Sequence, residues 1–243
     1  MLRFSLLFAA GVSISTGAVL YSENFNSLGG AGVQAMSFSW TGSYGTSASN
    51  SATIHNSGDH RAGMVKGGNT TSSVTVTDYL FAQNVANAPS GMEYFLRTTG
   101  VTAFAPNDYT SLTATWNRNG NTVAGHYLTV QVGGNWYVSQ TAYTTTGPGQ
   151  GITPTPLNLL TTAWRNLVDG ASLEIGSTTS TYADLFGSGA QITGVGFFIE
   201  NLAAGTSAQT IRIDDIVIDG IPEPSGTMLS ILGLATLLSR RKR

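Results

Sequence analysis

Two adjacent aspartates near the end of the chain are the residues whose types most directly imply chemistry. Asp214 and Asp215 stand inside the largely apolar sequence TIRIDDIVIDG, residues 210–220. The isoleucines before the pair lie at odd positions and those after it at even positions, so one strand can bury all four only through a β-bulge at the aspartates. Adjacent carboxylates repel each other, and a hard cation with oxygen ligands would relieve that repulsion. Alternatively, both carboxylates are solvated or pair with a basic side chain such as Arg212.

Aromatic residues beside polar, glycine-rich stretches are the second group with a chemical use. They are Trp40, Tyr44, Trp136, Tyr137 and Tyr143. Sugar rings have apolar C–H faces that stack on aromatic planes, while neighbouring Asn, Gln and Asp side chains bond the hydroxyls. Trp136 and Tyr137 are consecutive, so in a strand one faces the core and the other is at least partly exposed. The alternative is ordinary packing of aromatic side chains on a sheet.

Catalysis has no clear signature in the sequence, and no catalytic residue is predicted. The chain has no cysteine, and its serines lie outside any Gly-x-Ser-x-Gly sequence. The histidines, His55, His60 and His126, lack zinc-protease spacing. A glycoside hydrolase needs two carboxylates across a cleft. Glu93, Glu174 and Glu200 are far apart in sequence, although a fold can bring two of them together.

The elements that position these residues are strands, because the apolar pattern has a period of two. Leu112, Ala114 and Trp116 alternate with threonines. Residues 127–139 predict a hairpin in which Gly133-Gly134-Asn135 forms the turn. Further strands are predicted near Val74, Phe95 and Phe197.

Short strands separated by Gly, Asn and Ser turns predict one all-β domain, an antiparallel jelly-roll-type β-sandwich over residues 19–221. Long amphipathic helices are missing, which argues against a βαβ fold. One short helix is expected within Leu157–Val168, and a long surface loop is expected at Thr144–Pro156.

The first and last predicted strands, Leu20–Leu28 and Thr210–Gly220, resemble the opening and closing strands of jelly-roll modules such as laminin-G-like and carbohydrate-binding domains. The resemblance implies that these strands lie near each other. It also implies a structural calcium between them, with Glu23, Asn26 and either Asp214 or Asp215 as candidate ligands. No other cofactor is expected.

The two ends of the chain resemble processing signals. In residues 1–18, Arg3 precedes an apolar stretch, and the segment ends in Thr16-Gly17-Ala18. This is the layout of a secretory signal peptide. At the other end, Pro222-Glu223-Pro224 precedes an apolar stretch, Gly226–Ser239, and a basic tail of Arg240, Arg241, Lys242 and Arg243. As a helix the apolar stretch would span about 21 Å. That is less than the roughly 30 Å of a bilayer core, so it would be a poor permanent transmembrane anchor.

Residues 222–243 are similar to the PEP-CTERM sorting signal, which is sometimes labelled an ice-binding protein C-terminal domain. The resemblance implies export, transient contact with the inner membrane through the C-terminal helix, and removal of the tail by an exosortase. It also implies a cell-surface location associated with exopolysaccharide. It says nothing of the domain that precedes it. Ice binding itself would require threonines at a fixed period, and Thr75, Thr77 and Thr144–Thr146 form only local runs.

The charge distribution argues against nucleic acid as a partner. Five of the eleven basic residues lie in the two terminal signals, and only six others accompany the 13 acidic residues. The sequence therefore predicts an exported, non-catalytic surface or matrix protein, with exopolysaccharide or another glycan as candidate ligand. A glycoside hydrolase is the alternative, and an ice-binding protein is a minor one.

Overall fold

A computed structural model describes residues 18–25, 33–34, 39–46, 49–51, 60–71, 74–84, 92–119, 125–143, 157–169, 173–202 and 209–221. The predictions for the signal peptide, Asn26, the Thr144–Pro156 loop, Pro222-Glu223-Pro224 and the basic tail lie outside these residues. Residues Val19–Gly220 form one compact unit. No helix among the described residues is both long enough and apolar enough to cross a membrane.

The described residues are almost entirely β-structure, as the alternating pattern predicts. The first seven strands are β1 (Ala18–Glu23), β2 (Val33–Gln34), β3 (Trp40–Thr46), β4 (Ser49–Ser51), β5 (His60–Thr71), β6 (Val74–Asn84) and β7 (Met92–Thr98). The next seven are β8 (Tyr109–Asn119), β9 (Gly125–Val132), β10 (Asn135–Tyr143), β11 (Trp164–Asp169), β12 (Leu173–Ser180), β13 (Ile192–Leu202) and β14 (Gln209–Gly220). One helical turn of residues Pro106–Asp108 and one short helix, α1 (Tyr182–Phe186), complete the list.

The strands form two antiparallel sheets in a sandwich-like arrangement. The smaller sheet has the order β1-β14-β6-β5-β2, with β8 also paired to β14. The larger sheet has the order β12-β11-β10-β9-β13-β7-β3-β4. The first and last strands are therefore neighbours, as expected.

The main hydrophobic core contains buried residues from both sheets. The smaller sheet contributes Leu80, Leu112 and the four isoleucines of β14, while the larger one contributes side chains such as Trp40, Leu128 and Phe197. On each strand these residues share one parity, except on β14, where the parity of the isoleucines changes between Ile213 and Ile216. This alternation is the pattern that the sequence shows. The turn between β9 and β10 lies at Gly133 and Gly134, as predicted, with φ angles of 57° and 83°, whereas the third predicted turn residue, Asn135, begins β10.

The helix expected within Leu157–Val168 is wrong. Residues 164–169 form β11 instead, which pairs with both β10 and β12. A turn precedes it, in which Asn158 accepts hydrogen bonds from the N–H groups of Thr161 and Thr162. The apolar residues of this segment fit a helical period, but tertiary pairing decides the structure, because Trp164 and Leu167 are buried from a strand.

The larger sheet is apolar on both faces. Tyr137 packs against the main core, whereas its strand neighbours Trp136 and Val138 belong to a second buried cluster. This outer cluster consists of Phe95, Trp136, Val138, Leu167, Leu173 and Phe198. Because successive side chains of a strand point to opposite faces, the outer cluster lies on the face turned away from the smaller sheet.

The larger sheet is also strongly curled. Arg97 on β7 and Asp169 on β11 form an ion pair, although three strands separate β7 from β11 in the sheet. In a flat sheet, four steps of about 4.8 Å would place the two strands about 19 Å apart, beyond the reach of these side chains. Strand β12 likewise lies beside β3. The curl contributes to the burial of the outer cluster, because it brings β7 and β11 together.

Candidate functional site

The β-bulge predicted at Asp214-Asp215 is present. Asp214 is opposite Thr115 and Val217 is opposite Thr113, so two residues of β14 face a single residue of β8. As a result all four isoleucines of β14 are buried on the same side, each with at most 1% of its surface exposed. The parity of the apolar residues was sufficient to locate this irregularity.

The bulge turns the two aspartates in different directions. Asp215 is exposed and has a φ of 49°, a left-handed conformation that Asp and Asn tolerate better than most residues. Its N–H donates a hydrogen bond of 2.8 Å to Oδ1 of Asp214, which is buried. The two carboxylates are therefore adjacent in sequence but not equivalent.

The bulge contributes to a recess between the first and last strands. This bulge recess has a volume of about 280 Å³ and is lined by Ser22, Glu23, Asn24, Asp215, Ile216 and Val217. It brings together Glu23 and Asp215, two of the four candidate calcium ligands, while Asp214 is not among its lining residues. Glu23 also accepts a hydrogen bond from the N–H of Phe25 through Oε1. Within the described residues, no three His, Cys, Asp or Glu side chains form a group that could hold a metal ion.

Trp40 is not available to stack on a sugar, which corrects its place among the candidate aromatics. The side chain has no exposed surface, and its Nε1 donates a 2.7 Å hydrogen bond to the hydroxyl of Tyr21. Its ring is stacked on Phe197, with ring centroids 6.1 Å apart, and contacts Phe25 edge-on. The glycine-rich sequence around Trp40 suggested exposure, but the residue lies in a central part of the core.

The other candidate aromatics have mixed positions. Trp136 and Tyr137 do lie on opposite faces of β10, as consecutive strand residues must. Tyr137 is half-buried against the main core, and Trp136 has only 9% of its surface exposed. Tyr44 and Tyr143 lie on β3 and β10, and their side chains are outside the described part of the structure.

Trp136 is held by the outer cluster and by a glycine. Its ring meets Phe95 edge-on, with the centroids 5.1 Å apart and the planes at 80°. Gly194 lies beneath the indole, since a Cβ on Gly194 would come within 2.8 Å of Trp136 Cη2. The ring is thus fixed in position, and only 9% of the surface of Trp136 is exposed.

Trp136 contributes to a second recess, on the outer face of the larger sheet. This Trp136 recess has a volume of about 360 Å³, and its lining residues are Arg97, Gly134, Asn135, Trp136, Asn166, Leu167, Val168 and Asp169. The amides of Asn135 and Asn166 are on exposed residues at its border. Its lining therefore includes one aromatic residue, two asparagines, one cation and one anion.

The two charged residues of the Trp136 recess are tied to each other and to the sheet. Arg97 Nη2 pairs with Asp169 Oδ2, and Arg97 Nη1 donates a 2.8 Å hydrogen bond to the Ser43 hydroxyl. The guanidinium also lies over the Phe95 ring, 4.6 Å from its centroid. Burial lowers the pKa of Arg97, and the negative charge of Asp169 opposes this effect.

The other oxygen of Asp169 is the least satisfied polar atom of this recess. Asp169 Oδ1 is buried and has no hydrogen-bond partner among the described residues, and the side chain as a whole is 10% exposed. A buried acceptor without a donor costs roughly 1–3 kcal/mol. A rotation of the Asp169 carboxylate would expose Oδ1 to the recess, and a ligand hydroxyl that donates to it there would remove this cost. The arrangement therefore favours a hydroxyl-bearing ligand.

Sequence reasoning missed most of the residues that line the Trp136 recess. Asn135 had a signal, because it stands beside Trp136 in the sequence GGNW. Arg97, Asn166 and Asp169 had no such signal in the sequence, because their place in the recess depends on strand pairing and on the curl of the sheet.

The fold also unites two of the glutamates that are isolated in sequence. Glu93 on β7 and Glu200 on β13 lie on neighbouring strands, and the Tyr127 hydroxyl donates a 2.6 Å hydrogen bond to Glu200 Oε2. Burial and the negative charge of Glu200 raise the pKa of Glu93 to about 7. Burial and the bond to Glu200 raise the pKa of Tyr127 to about 12. Near pH 7 the Glu93 carboxyl is therefore protonated about half of the time.

Glu93 should make the stability depend on pH. Between pH 4.5 and about 7 the folded protein keeps a proton on Glu93 that the unfolded chain has lost, so the free energy of unfolding falls as pH rises. We expect a loss of roughly 1–2 kcal/mol across this range, because solvent screening at a half-buried site reduces the full value. Glu93→Gln should abolish this part of the pH dependence and melt above the wild type at pH 8. Thermal melts of both proteins across the pH range measure it.

The exposed Glu174 provides the matched control for this measurement. Glu174→Gln removes the same charge from β12 and should retain the wild-type pH dependence. If Glu93→Gln and the wild type lose stability in parallel between pH 4.5 and 7, Glu93 is not the titrating group.

No family model matches the chain, and no curated protein matches it. Among solved structures, it is similar to the family 11 carbohydrate-binding module of the cellulosomal cellulase Lic26A-Cel5E of Clostridium thermocellum. The two share 11% sequence identity over 88% of this chain and 99% of the module, with a TM-score of 0.37.

Proposed function

We propose that this chain is an exported, non-catalytic surface or matrix protein that binds glycan in the Trp136 recess. The observation that carries the proposal is the buried Oδ1 of Asp169, which has no partner among the described residues and belongs to a recess lined by two asparagines and Trp136. Sugars supply what such a recess lacks, because their hydroxyls both donate and accept hydrogen bonds and their C–H faces contact aromatic rings.

The dimensions of the recess fit a short segment of a glycan. Its volume of about 360 Å³ lies near the lower end of the range of roughly 300–1,000 Å³ typical of small-molecule sites. The amides of Asn135 and Asn166 can each donate to and accept from a hydroxyl. Because only 9% of the surface of Trp136 is exposed, polar contacts contribute more here than stacking does.

Asn166→Ala tests the proposal. The wild-type protein should bind at least one polysaccharide on a glycan array, and calorimetry with that polysaccharide should give about tenfold weaker binding for the variant. The reason is that one hydrogen bond of about 1–1.5 kcal/mol is lost. Trp136→Ala would be a poorer test, because truncating a ring with 9% exposure disturbs the outer cluster as well.

Asn107→Ala is the matched control, since Asn107 is an exposed residue of the Pro106–Asp108 turn and does not line the recess. It should bind like the wild type. The proposal fails if the wild-type protein binds no glycan, or if both asparagine variants weaken binding equally.

A glycoside hydrolase is the second candidate function, and the pair of Glu93 and Glu200 is the observation that favours it. Glu93, whose pKa is raised to about 7, could donate a proton as the acid, with the Glu200 carboxylate as its partner. Release of reducing sugar from the bound polysaccharide by the wild type, but not by Glu93→Gln, would replace the non-catalytic proposal.

Export and sorting are the part of the proposal that rests on the ends of the sequence. The layout of residues 1–18 supports secretion, and the resemblance of residues 222–243 to PEP-CTERM signals supports processing by an exosortase. We propose a cell-surface or extracellular location, reached after transient contact of the C-terminal segment with the inner membrane. For the domain between these ends, we propose a jelly-roll topology of the sandwich.

We also propose a structural calcium in the bulge recess. Glu23 and Asp215 would bind it, with further oxygens from Ser22, Asn24, the backbone or water, because calcium takes six to eight oxygen ligands. A cation there would neutralise the two carboxylates among the residues that line this recess. With only two carboxylates the site would be weak, in the range of about 10⁻⁴–10⁻³ M found for extracellular modules.

Calcium should therefore raise the melting temperature. A concentration ten- to a hundredfold above the dissociation constant stabilises the folded state by about 1.4–2.7 kcal/mol. In a domain of this size that corresponds to about 3–10 °C. Asp215→Asn should abolish the shift while keeping the backbone, because Asn also tolerates a positive φ. Equal melting temperatures in calcium and in a chelator would exclude the site, and magnesium serves as the control for ionic strength.

A further inference from the structure

The charged groups of the Trp136 recess leave little net charge for a ligand. Arg97 and Asp169 are the ionisable residues among those that line it, and they pair with each other. Arg97 is also bound to Ser43 and covers Phe95, so its donors and one of its faces are already used in part. Its side chain is 21% exposed, against 10% for Asp169.

A ligand carboxylate would be poorly received in this recess. It would have to lose water beside Asp169, and it could not donate a hydrogen bond to the unpartnered Oδ1. The cation that could compensate it is held by Asp169, and breaking a partly buried ion pair leaves the second charge unpaired. A neutral hydroxyl brings no charge beside Asp169 and does not require the ion pair to break. It also provides the hydrogen-bond donor that Oδ1 lacks.

We infer that the Trp136 recess selects uncharged sugars over uronic acids, and that Asp169 is the residue that determines this specificity. This inference rests on the proposed function, because it concerns which glycan the same recess binds. Asp169 acts in two ways: it accepts a hydroxyl hydrogen bond, and it occupies the guanidinium that a sugar carboxylate would need.

The test compares binding of the full chain to galactomannan, arabinoxylan and soluble β-glucan, which are neutral, with binding to polygalacturonate. The wild type should bind at least one neutral polymer at least tenfold more tightly than polygalacturonate, with little change as salt is raised. Asp169→Asn keeps the shape of the side chain but releases Arg97. It should bind the neutral polymer about tenfold more weakly, and bind polygalacturonate about tenfold more tightly than the wild type does, in a salt-sensitive manner.

The double variant Arg97→Gln/Asp169→Asn separates charge from shape. It should lose the gained affinity for polygalacturonate, since the released guanidinium is gone. If a variant does not fold, the ratio of the wild-type affinities still tests the selectivity. Wild-type protein that binds polygalacturonate as tightly as the neutral polymers overturns the inference and leaves the proposed function standing. Wild-type protein that binds no polymer overturns the proposed function as well, and an Asp169→Asn protein that folds without gaining affinity for polygalacturonate excludes the role of Asp169.

Discussion

Gly196→Val should leave little or no folded protein. A Cβ at position 196 on β13 would collide with the carbonyl oxygen of Leu96, and it would lie 2.7 Å from Thr129 Oγ1 and 2.9 Å from Arg97 Cα. Two of these three contacts are with the backbone of β7, which cannot move aside without breaking the pairing of β7 with β13. Overpacking of a core usually costs about 1–3 kcal/mol, and contacts with backbone place this case at the upper end or beyond.

The loss would be large compared with the roughly 5–15 kcal/mol that stabilises a typical domain. Soluble yield and urea denaturation measure it. Gly176→Ala on β12 is the matched control, because the nearest atom to its added Cβ is 3.4 Å away, an ordinary contact. That variant should stay within about 1 kcal/mol of the wild type. A Gly196→Val protein that unfolds at nearly the wild-type urea concentration would contradict the close approach of β7 and β13.

Trp40→Ala should destabilise the sandwich by about 3–5 kcal/mol, the range for truncating a fully buried large aromatic. The substitution would remove the stack on Phe197 and the edge contact with Phe25. It would also remove the Nε1–H donor from the Tyr21 hydroxyl. The hydroxyl then loses a partner at a site where burial raises the pKa of Tyr21 to about 12. Urea denaturation again provides the measurement.

Trp40→Phe distinguishes a core role from a binding role. It keeps an aromatic ring against Phe197 but lacks the indole N–H, so we expect it to lose about 1–2 kcal/mol. Its affinity for glycan should equal that of the wild type, because the ring has no exposed surface. Weaker glycan binding by a stable Trp40→Phe protein would contradict the position of Trp40 in the core.

Local features were predictable from the sequence wherever the period of two was sufficient. The bulge at Asp214-Asp215 follows from the change of parity among four isoleucines, because a shift by one residue moves a side chain to the opposite face. The hairpin between β9 and β10 follows from two consecutive glycines, which can adopt the positive φ angles that the turn needs. Neither deduction requires knowledge of the other strands.

Features that depend on the order of strands in the sheet were beyond sequence reasoning. The burial of Trp40 depends on its ring stacking on Phe197, a residue 157 positions later in the chain. The contact of Arg97 with Asp169 depends on the curl of eight strands, and the approach of Glu93 to Glu200 depends on β13 lying next to β7. The sequence predicts a helix where β11 lies, because the apolar residues of this segment fit the period of a helix as well as that of a strand. Only the pairing with β10 and β12 distinguishes the two.

The position of the last strand has a mechanical consequence. Strand β14 pairs with β6 along Gln209–Ile213 and with β8 along Thr210–Gly220, and β1 lies next to it as well. A force applied at Gly220 along the strand would load the ladders on both sides in shear, so that many hydrogen bonds must break together. An edge strand pulled outward would instead peel away one bond at a time. Traction on Gly220 therefore acts on a strand that is paired along both of its edges.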